Sequence, residues 1–288
     1  MERRTFLRGS AAAGAAMGAT SAAAVPAGAA VVTGSAAGTG AAAATGAAAT
    51  AGTAAGTSAA ATPGAVAATG AASTGSAATE AVGGRRPLRV QVVLFDGVEE
   101  QDFAGPYEVF SAAGMHAKRG TDVSYVRVDG PGVVRASYGT KVEVERGWSP
   151  QDADIIVVPG GGYGKRKGPG IWAEIDRRVL PDALAAAQRE GLTLASLCTG
   201  TLLLGAAGLV RGRPCTTHHG AVETLVQQGG VVKKARVVDD GDVVTSGGIT
   251  SGLDLALWLV KRELGSDAAA GLEEMLEYEA RGVVWTRG

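Results

Sequence analysis

Runs of apolar residues separated by polar and glycine-rich turns first appear after Arg85, and they recur from there to the C-terminus. Arg89–Phe95 and Asp154–Val158 are short, β-branched and nearly continuous in apolar character, the pattern of strands buried on both faces. Ser124–Val128 and Leu192–Leu197 complete a set of four. Between and after them lie stretches of helical spacing. These begin at Tyr107 after Gly105-Pro106, over Ile171–Glu190 with an interruption expected at Pro181, and over Thr199–Ala207. Further helices are expected over Ala221–Gln228, Gly252–Leu264 and Asp267–Glu277. Val133–Ser137 and Lys141–Val144 flank Tyr138-Gly139, a hairpin signal, and Asp240-Gly241 marks a turn between two short strands within Val237–Val244. Apolar strands alternating with helices predict an α/β fold, a mostly parallel sheet covered on both sides. Ligands in such folds bind beyond the carboxyl ends of the strands. Asp96–Asp102, Pro159–Gly162 and Cys198 all follow apolar strands, so one crevice is expected to collect them.

Composition divides the 288-residue chain. Gly9–Thr79 is built of Ala, Gly, Thr and Ser with a few Val, Pro and Met and no charged side chain, and no aromatic residue occurs between Phe6 and Phe95. Small side chains bury too little apolar area to offset ordering entropy, so residues 30–84 are expected to be a disordered linker. Ahead of it, residues 1–29 hold Arg3-Arg4, a weakly apolar stretch and the small-residue site Ala22-Ala-Ala-Val-Pro-Ala27. This is the pattern of a twin-arginine signal peptide and predicts export, with no stable membrane anchor. The remainder, residues 85–288, is the size of one α/β domain. It carries 24 Lys and Arg against 26 Asp and Glu, a formal charge of −2, which argues against a nucleic-acid partner.

The chemistry concentrates at Leu192-Thr-Leu-Ala-Ser-Leu-Cys-Thr-Gly-Thr-Leu-Leu-Leu-Gly-Ala206. An apolar strand ending in a cysteine, then a small-residue turn into a helix, is the pattern of a nucleophile elbow centred on Cys198. Backbone N–H groups at such a turn lower a thiol pKa. A buried structural thiol fits the local pattern equally well. The chain has one other cysteine, Cys215, and no His/Cys/Asp set at zinc spacing, so neither a disulfide framework nor a metal cofactor is expected. The glycines of Pro159-Gly-Gly-Gly162 allow a backbone N–H to approach a ligand, and with the Thr199 N–H they are candidates for an oxyanion-type hole. The run lacks a phosphate loop's Lys-Ser/Thr and a dinucleotide spacing, so no nucleotide is assigned. Asp102 is an acid/base candidate, and Glu99 and Glu100 compete with it on equal terms. His218 and His219 stand twenty residues beyond the cysteine, and on a strand only one of the pair faces a given site. Asp254 is read as a helix cap or as a partner to a neighbouring group.

Leu94-Phe-Asp-Gly-Val-Glu-Glu-Gln-Asp-Phe-Ala-Gly-Pro106, Val158-Pro-Gly-Gly161, Ser196-Leu-Cys-Thr-Gly200, Thr216-Thr-His218 and Gly247-Gly-Ile-Thr-Ser-Gly-Leu-Asp254, in this order, resemble the ThiJ/PfpI superfamily and within it the isonitrile hydratase branch. The resemblance implies a flavodoxin-like, class I glutamine amidotransferase-like three-layer sandwich and a homodimer. It places the nucleophile on Cys198, the acidic partner on Asp102, site residues on Thr199 and Gly161, and a neighbouring histidine on His218. His219 stands where the hydratase motif has a tryptophan. No helix-turn-helix module, as carried by regulators of the superfamily, is expected. The implied activity is cofactor-free hydration of a small-molecule isonitrile to an N-substituted formamide, in a pocket lined from the Phe103 and Trp258 regions. The alternatives are glyoxalase or deglycase-like action on oxoaldehydes and a non-catalytic redox-sensing or binding domain.

Overall fold

The computed structural model describes residues 86–287. The signal-peptide and linker expectations fall on residues 1–84, outside that range. An eight-stranded sheet runs through the described residues. In spatial order its strands are β12 (Val284–Thr286), β10 (Val237–Asp239), β11 (Val243–Ser246), β7 (Thr193–Ser196), β6 (Ile155–Val158), β1 (Leu88–Val93), β2 (Thr121–Arg127) and β5 (Arg146–Gly147). All neighbours pair in parallel except β10 with β11, which are antiparallel across the Asp240-Gly241 turn. β3 (Gly132–Arg135) and β4 (Lys141–Val144) form the expected hairpin, and β8 (Pro214–Cys215) pairs with β9 (Val231–Val232). Every residue of the central β6 and β7 is buried. Burial of each Val, Ile or Leu there contributes about 1.5–3 kcal/mol, which is why these strands lack polar alternation.

Helices cover the sheet: α1 (Glu100–His116), α2 (Ile171–Arg177), α3 (Val179–Ala187), α4 (Thr201–Ala206), α5 (Val222–Gln227), α6 (Ser251–Leu264) and α7 (Ser266–Leu276). Sheet and helices together form the flavodoxin-like α/β sandwich. Two helix boundaries expected at prolines differ from the sequence expectation. Helix α1 begins before Gly105-Pro106 and runs through it. The Glu99 carboxylate caps it, accepting the N–H groups of Gln101 at 3.0 Å and Asp102 at 3.1 Å. Pro106 packs against α6, where a Cβ on Gly252 would stand 3.3 Å from its Cγ. Close α1–α6 packing offsets the cost of a proline inside a helix. Second, the break in the 171–190 zone falls at Arg178, whose φ of 66° ends α2. Pro181 lies within the first turn of α3, where an N–H has no helical partner to lose. The short strands β5, β8, β9 and β12 have no counterpart in the hydrophobic pattern, being two or three residues each and fixed by tertiary contacts. Among the described residues no helix is long and apolar enough to cross a membrane.

Candidate active site

Strand β7 delivers Cys198 to the carboxyl edge of the sheet. The residue has φ 52°, a conformation that side chains with a Cβ avoid at a cost of about 1–3 kcal/mol. Three interactions hold it there. The Cys198 N–H donates to the Gly247 carbonyl at 2.6 Å, while its own carbonyl accepts from Thr217 Oγ1 at 2.7 Å and from the His218 N–H at 3.3 Å. The chain then makes a single 3-10 turn over Cys198–Gly200 before α4 starts, so the elbow helix is shorter than the expected Thr199–Ala207. The backbone N–H groups of Thr199 and Ile249 reach the thiol. Ile249 also has a positive φ, 41°, unusual for a β-branched residue, so two strained main chains converge on one sulfur.

Asp102, in the first turn of α1, is fully buried against that thiol. Its Oδ2 accepts the Gly160 N–H at 2.8 Å. Its Oδ1 is buried and has no hydrogen-bond partner among the described residues. Burial raises the carboxyl's affinity for its proton well above the ordinary aspartate value. The neighbouring Glu99 charge adds to this, and the Gly160 N–H opposes it. Burial likewise pushes the Cys198 thiol up, to about 12, with the Asp102 charge second and the Ile249 and Thr199 N–H groups pulling the other way. The expectation of a thiol acidified by its elbow is therefore corrected: desolvation outweighs the N–H groups. Burial thus favours the protonated form of each group.

The structure resolves the choice among the three acids. Glu99 is spent as the α1 cap, and Glu100 accepts the Tyr138 N–H of the hairpin at 2.9 Å, so only Asp102 meets the cysteine. Gly161 and Thr199 adjoin, but as partners to each other: the Gly161 N–H donates to Thr199 Oγ1 at 3.1 Å. With the Gly160 N–H held by Asp102, neither glycine presents an unpaired N–H to an oxyanion, unlike the hole read from the sequence. Glycine at 160 is a matter of space, since a Cβ there would lie 2.6 Å from Thr199 N.

His218 and His219 are not on a strand. His218 precedes a short 3-10 turn, accepts the Gly220 N–H on Nδ1 at 3.1 Å, and stacks on His219 with ring centroids 4.2 Å apart. A neutral ring accepting on Nδ1 carries its proton on Nε2, which makes it a hydrogen-bond donor. Burial, then the charge of His219, lowers its pKa and favours that neutral form. The two residues expected to line a pocket turn elsewhere. Phe103 packs edge-on to Tyr125 at 5.7 Å. Trp258 donates to Asp239 at 2.8 Å beside Arg262, which also bonds Thr193 at the amino end of β7, away from the cysteine. Asp254 holds neighbours, as expected: Arg236, Tyr278 and the Arg281 N–H all donate to it. Sequence reasoning missed Ile249, which acts through a main-chain N–H that no side-chain pattern announces; Gly160 lay within the glycine run, but its N–H goes to Asp102 rather than to a ligand. Cys215 is a buried free thiol, as is Cys198, and no described cluster of His, Cys, Asp or Glu could hold a metal ion.

A parallel α/β sandwich with a strained cysteine elbow and a buried carboxyl beside it defines a class of nucleophile-elbow proteins. Residues 88–262 match the DJ-1/PfpI family, and the chain belongs to it. It is 34% identical to an isonitrile hydratase of Pseudomonas putida over 194 residues, covering 66% of this chain and 78% of that protein. It is 28% identical over 165 residues to a deglycase of Pyrococcus abyssi, covering 55% of this chain and 89% of that protein. Among solved structures, a ThiJ/PfpI family protein from Pseudomonas syringae superimposes with a TM-score of 0.59 at 25% identity, covering 68% of this chain and 76% of that one.

Proposed function

We propose that this protein hydrates an isonitrile, R–N≡C, to the N-substituted formamide. The observation that carries the reading is a fully buried carboxyl, Asp102, set beside the Cys198 elbow, with the Gly160 and Gly161 N–H groups already engaged. An isonitrile carbon needs a proton and a nucleophile, and forms no oxyanion in the first step. Asp102 gives its proton to the terminal carbon as sulfur bonds to the same carbon, and the thiol proton returns to Asp102. The net result is addition of S–H across carbon to give a thioimidate, R–N=CH–S–Cys198. Asp102 then passes that proton to the imine nitrogen and takes one from water as the water oxygen adds to the carbon, giving R–NH–CH(OH)–S–Cys198. Collapse of the adduct expels the thiol and releases R–NH–CHO. Thr199 keeps its own hydroxyl proton for donation, because its oxygen accepts from Gly161. The similarity to the Pseudomonas putida hydratase supports the same chemistry.

The deglycase relative supports a second reading, action on a small oxoaldehyde through the same cysteine. That reaction builds charge on a carbonyl oxygen, for which the engaged Gly160 and Gly161 N–H groups are a poorer match. The test is mass spectrometry of products from the purified protein offered cyclohexyl isocyanide and methylglyoxal in parallel, with Cys198→Ser as control. Formamide release lost in the variant is the expected result. Turnover of methylglyoxal alone would transfer the assignment to the second reading. Export through the Arg3-Arg4 signal and assembly as a homodimer complete the proposal, the first resting on the N-terminal sequence and the second on the family resemblance.

A further inference from the structure

A cleft beside the hairpin plays no part in the chemistry above. It has a volume of about 890 Å³ and opens between the β3–β4 hairpin and the segment that follows the glycine run. Three cations from separate segments line it: Arg135 on β3, Lys141 on β4 and Lys165. None of the three is in an ion pair among the described residues, whereas nearby Arg146 and Arg166 are paired with Asp122 and Asp176. The single carboxylate on the wall, Asp96, already accepts the Arg135 N–H at 2.8 Å. Tyr138 and Tyr163 supply aromatic surface from opposite sides. Both walls are set in advance. Tyr163 is stacked on Trp172 and shares a hydrogen bond with Thr224 at 3.0 Å, and Ser137 Oγ donates to the Gly97 carbonyl at 2.7 Å. The floor, Gly97 and Gly162, lies just past the carboxyl ends of β1 and β6, where parallel sheets bind ligands.

We infer that this cleft binds a small organic polyanion. Its acidic groups are met by Arg135, Lys141 and Lys165, and its carbon body lies against the two tyrosines. Bare phosphate is far smaller than the space, whose volume falls in the range of about 300–1,000 Å³ that encloses organic ligands. Three unpaired cations against one engaged carboxylate leave the lining net positive, which disfavours a neutral occupant.

The test titrates the full chain with citrate and, separately, with inorganic phosphate at low ionic strength, by calorimetry and backbone-amide NMR. Citrate is expected to saturate one site and to shift amides within 135–141 and 162–169, with phosphate binding more weakly. Lys141→Glu/Lys165→Glu should weaken citrate by about tenfold or more, whereas Lys233→Glu/Lys234→Glu, on another face, should change it less than about twofold. Absence of saturable citrate binding, shifts confined to other regions, or equal loss in both double variants would overturn the inference. Phosphate binding as tight as citrate would overturn the organic body. Binding is read without turnover, and Cys198→Ser is expected to bind citrate as the wild type does, so failure here is separable from failure of the proposed reaction.

Discussion

Asp102 offers the sharpest separation of chemistry from architecture. Its side chain is fully buried, accepts one main-chain N–H from Gly160, and is held toward its protonated form by that burial. Asparagine keeps the shape and the acceptor for Gly160 but cannot pass a proton; alanine loses both. Asp102→Asn is therefore expected to fold normally and to lose turnover by about 10²–10⁴, the usual worth of a general acid–base group. Asp102→Ala should in addition lose about 1–3 kcal/mol of stability, because the buried Gly160 N–H is left without a partner. The pH dependence has a definite sign. The folded chain holds the Asp102 proton above the ordinary value of 3.8 and the unfolded chain does not, so this residue's contribution is full below that value and declines as pH rises through the raised one. Asparagine has no proton to lose, so its stability relative to wild type should improve between pH 5 and pH 8.5. Urea melts at the two pH values, formamide release and alkylation of Cys198 by iodoacetamide check these statements together. Turnover by Asp102→Asn within tenfold of wild type, with Cys198 still alkylated, would refute Asp102 as the proton carrier.

Four further outcomes are expected. Gly160→Ala should lower turnover by tenfold or more and cost about 1–3 kcal/mol, because its Cβ would press on Thr199 N at 2.6 Å; urea melts and product assay measure both. Cys215→Ala should leave the rate constant for formamide release within about twofold while lowering the melting temperature, since Cys215 is fully buried and away from the reaction. Arg236→Gln should destabilise the fold by about 3 kcal/mol, read by chemical denaturation, because it leaves the buried Asp254 carboxylate without its cationic partner. Replacement of Arg3 and Arg4 by lysine should retain the precursor in the cytoplasm on cell fractionation, and unchanged secretion would reject the twin-arginine route.

The strands were legible because burial on both faces leaves an unbroken apolar record, as in Ile155–Val158. Helix ends were less so. Pro106 and Pro181 read as breaks, yet the start of α1 is set by the Glu99 cap and the α2–α3 break by the backbone of Arg178. At the site, the cysteine was visible from its strand-turn-helix setting. Its acidic partner was not separable from Glu99 and Glu100 by residue type, because the choice depends on which side of one helical turn faces the elbow. The direction of the thiol's shift was misread for a related reason: the N–H groups at the turn are local and readable, while the desolvation that opposes them comes from the whole surrounding core. Ile249 contributes only an N–H, so any side chain at that position would have looked equally silent.

The central claim is a covalent bond between Cys198 and the isonitrile carbon, and intact-mass analysis of acid-quenched protein reads it directly. With cyclohexyl isocyanide, the wild-type chain is expected to gain the mass of one whole isonitrile, and peptide mapping should place it on Cys198. The adduct should decay to free protein as the formamide appears, and Cys198→Ser should show neither adduct nor product. Formamide produced at the wild-type rate by Cys198→Ser, with no adduct on either protein, would contradict the account.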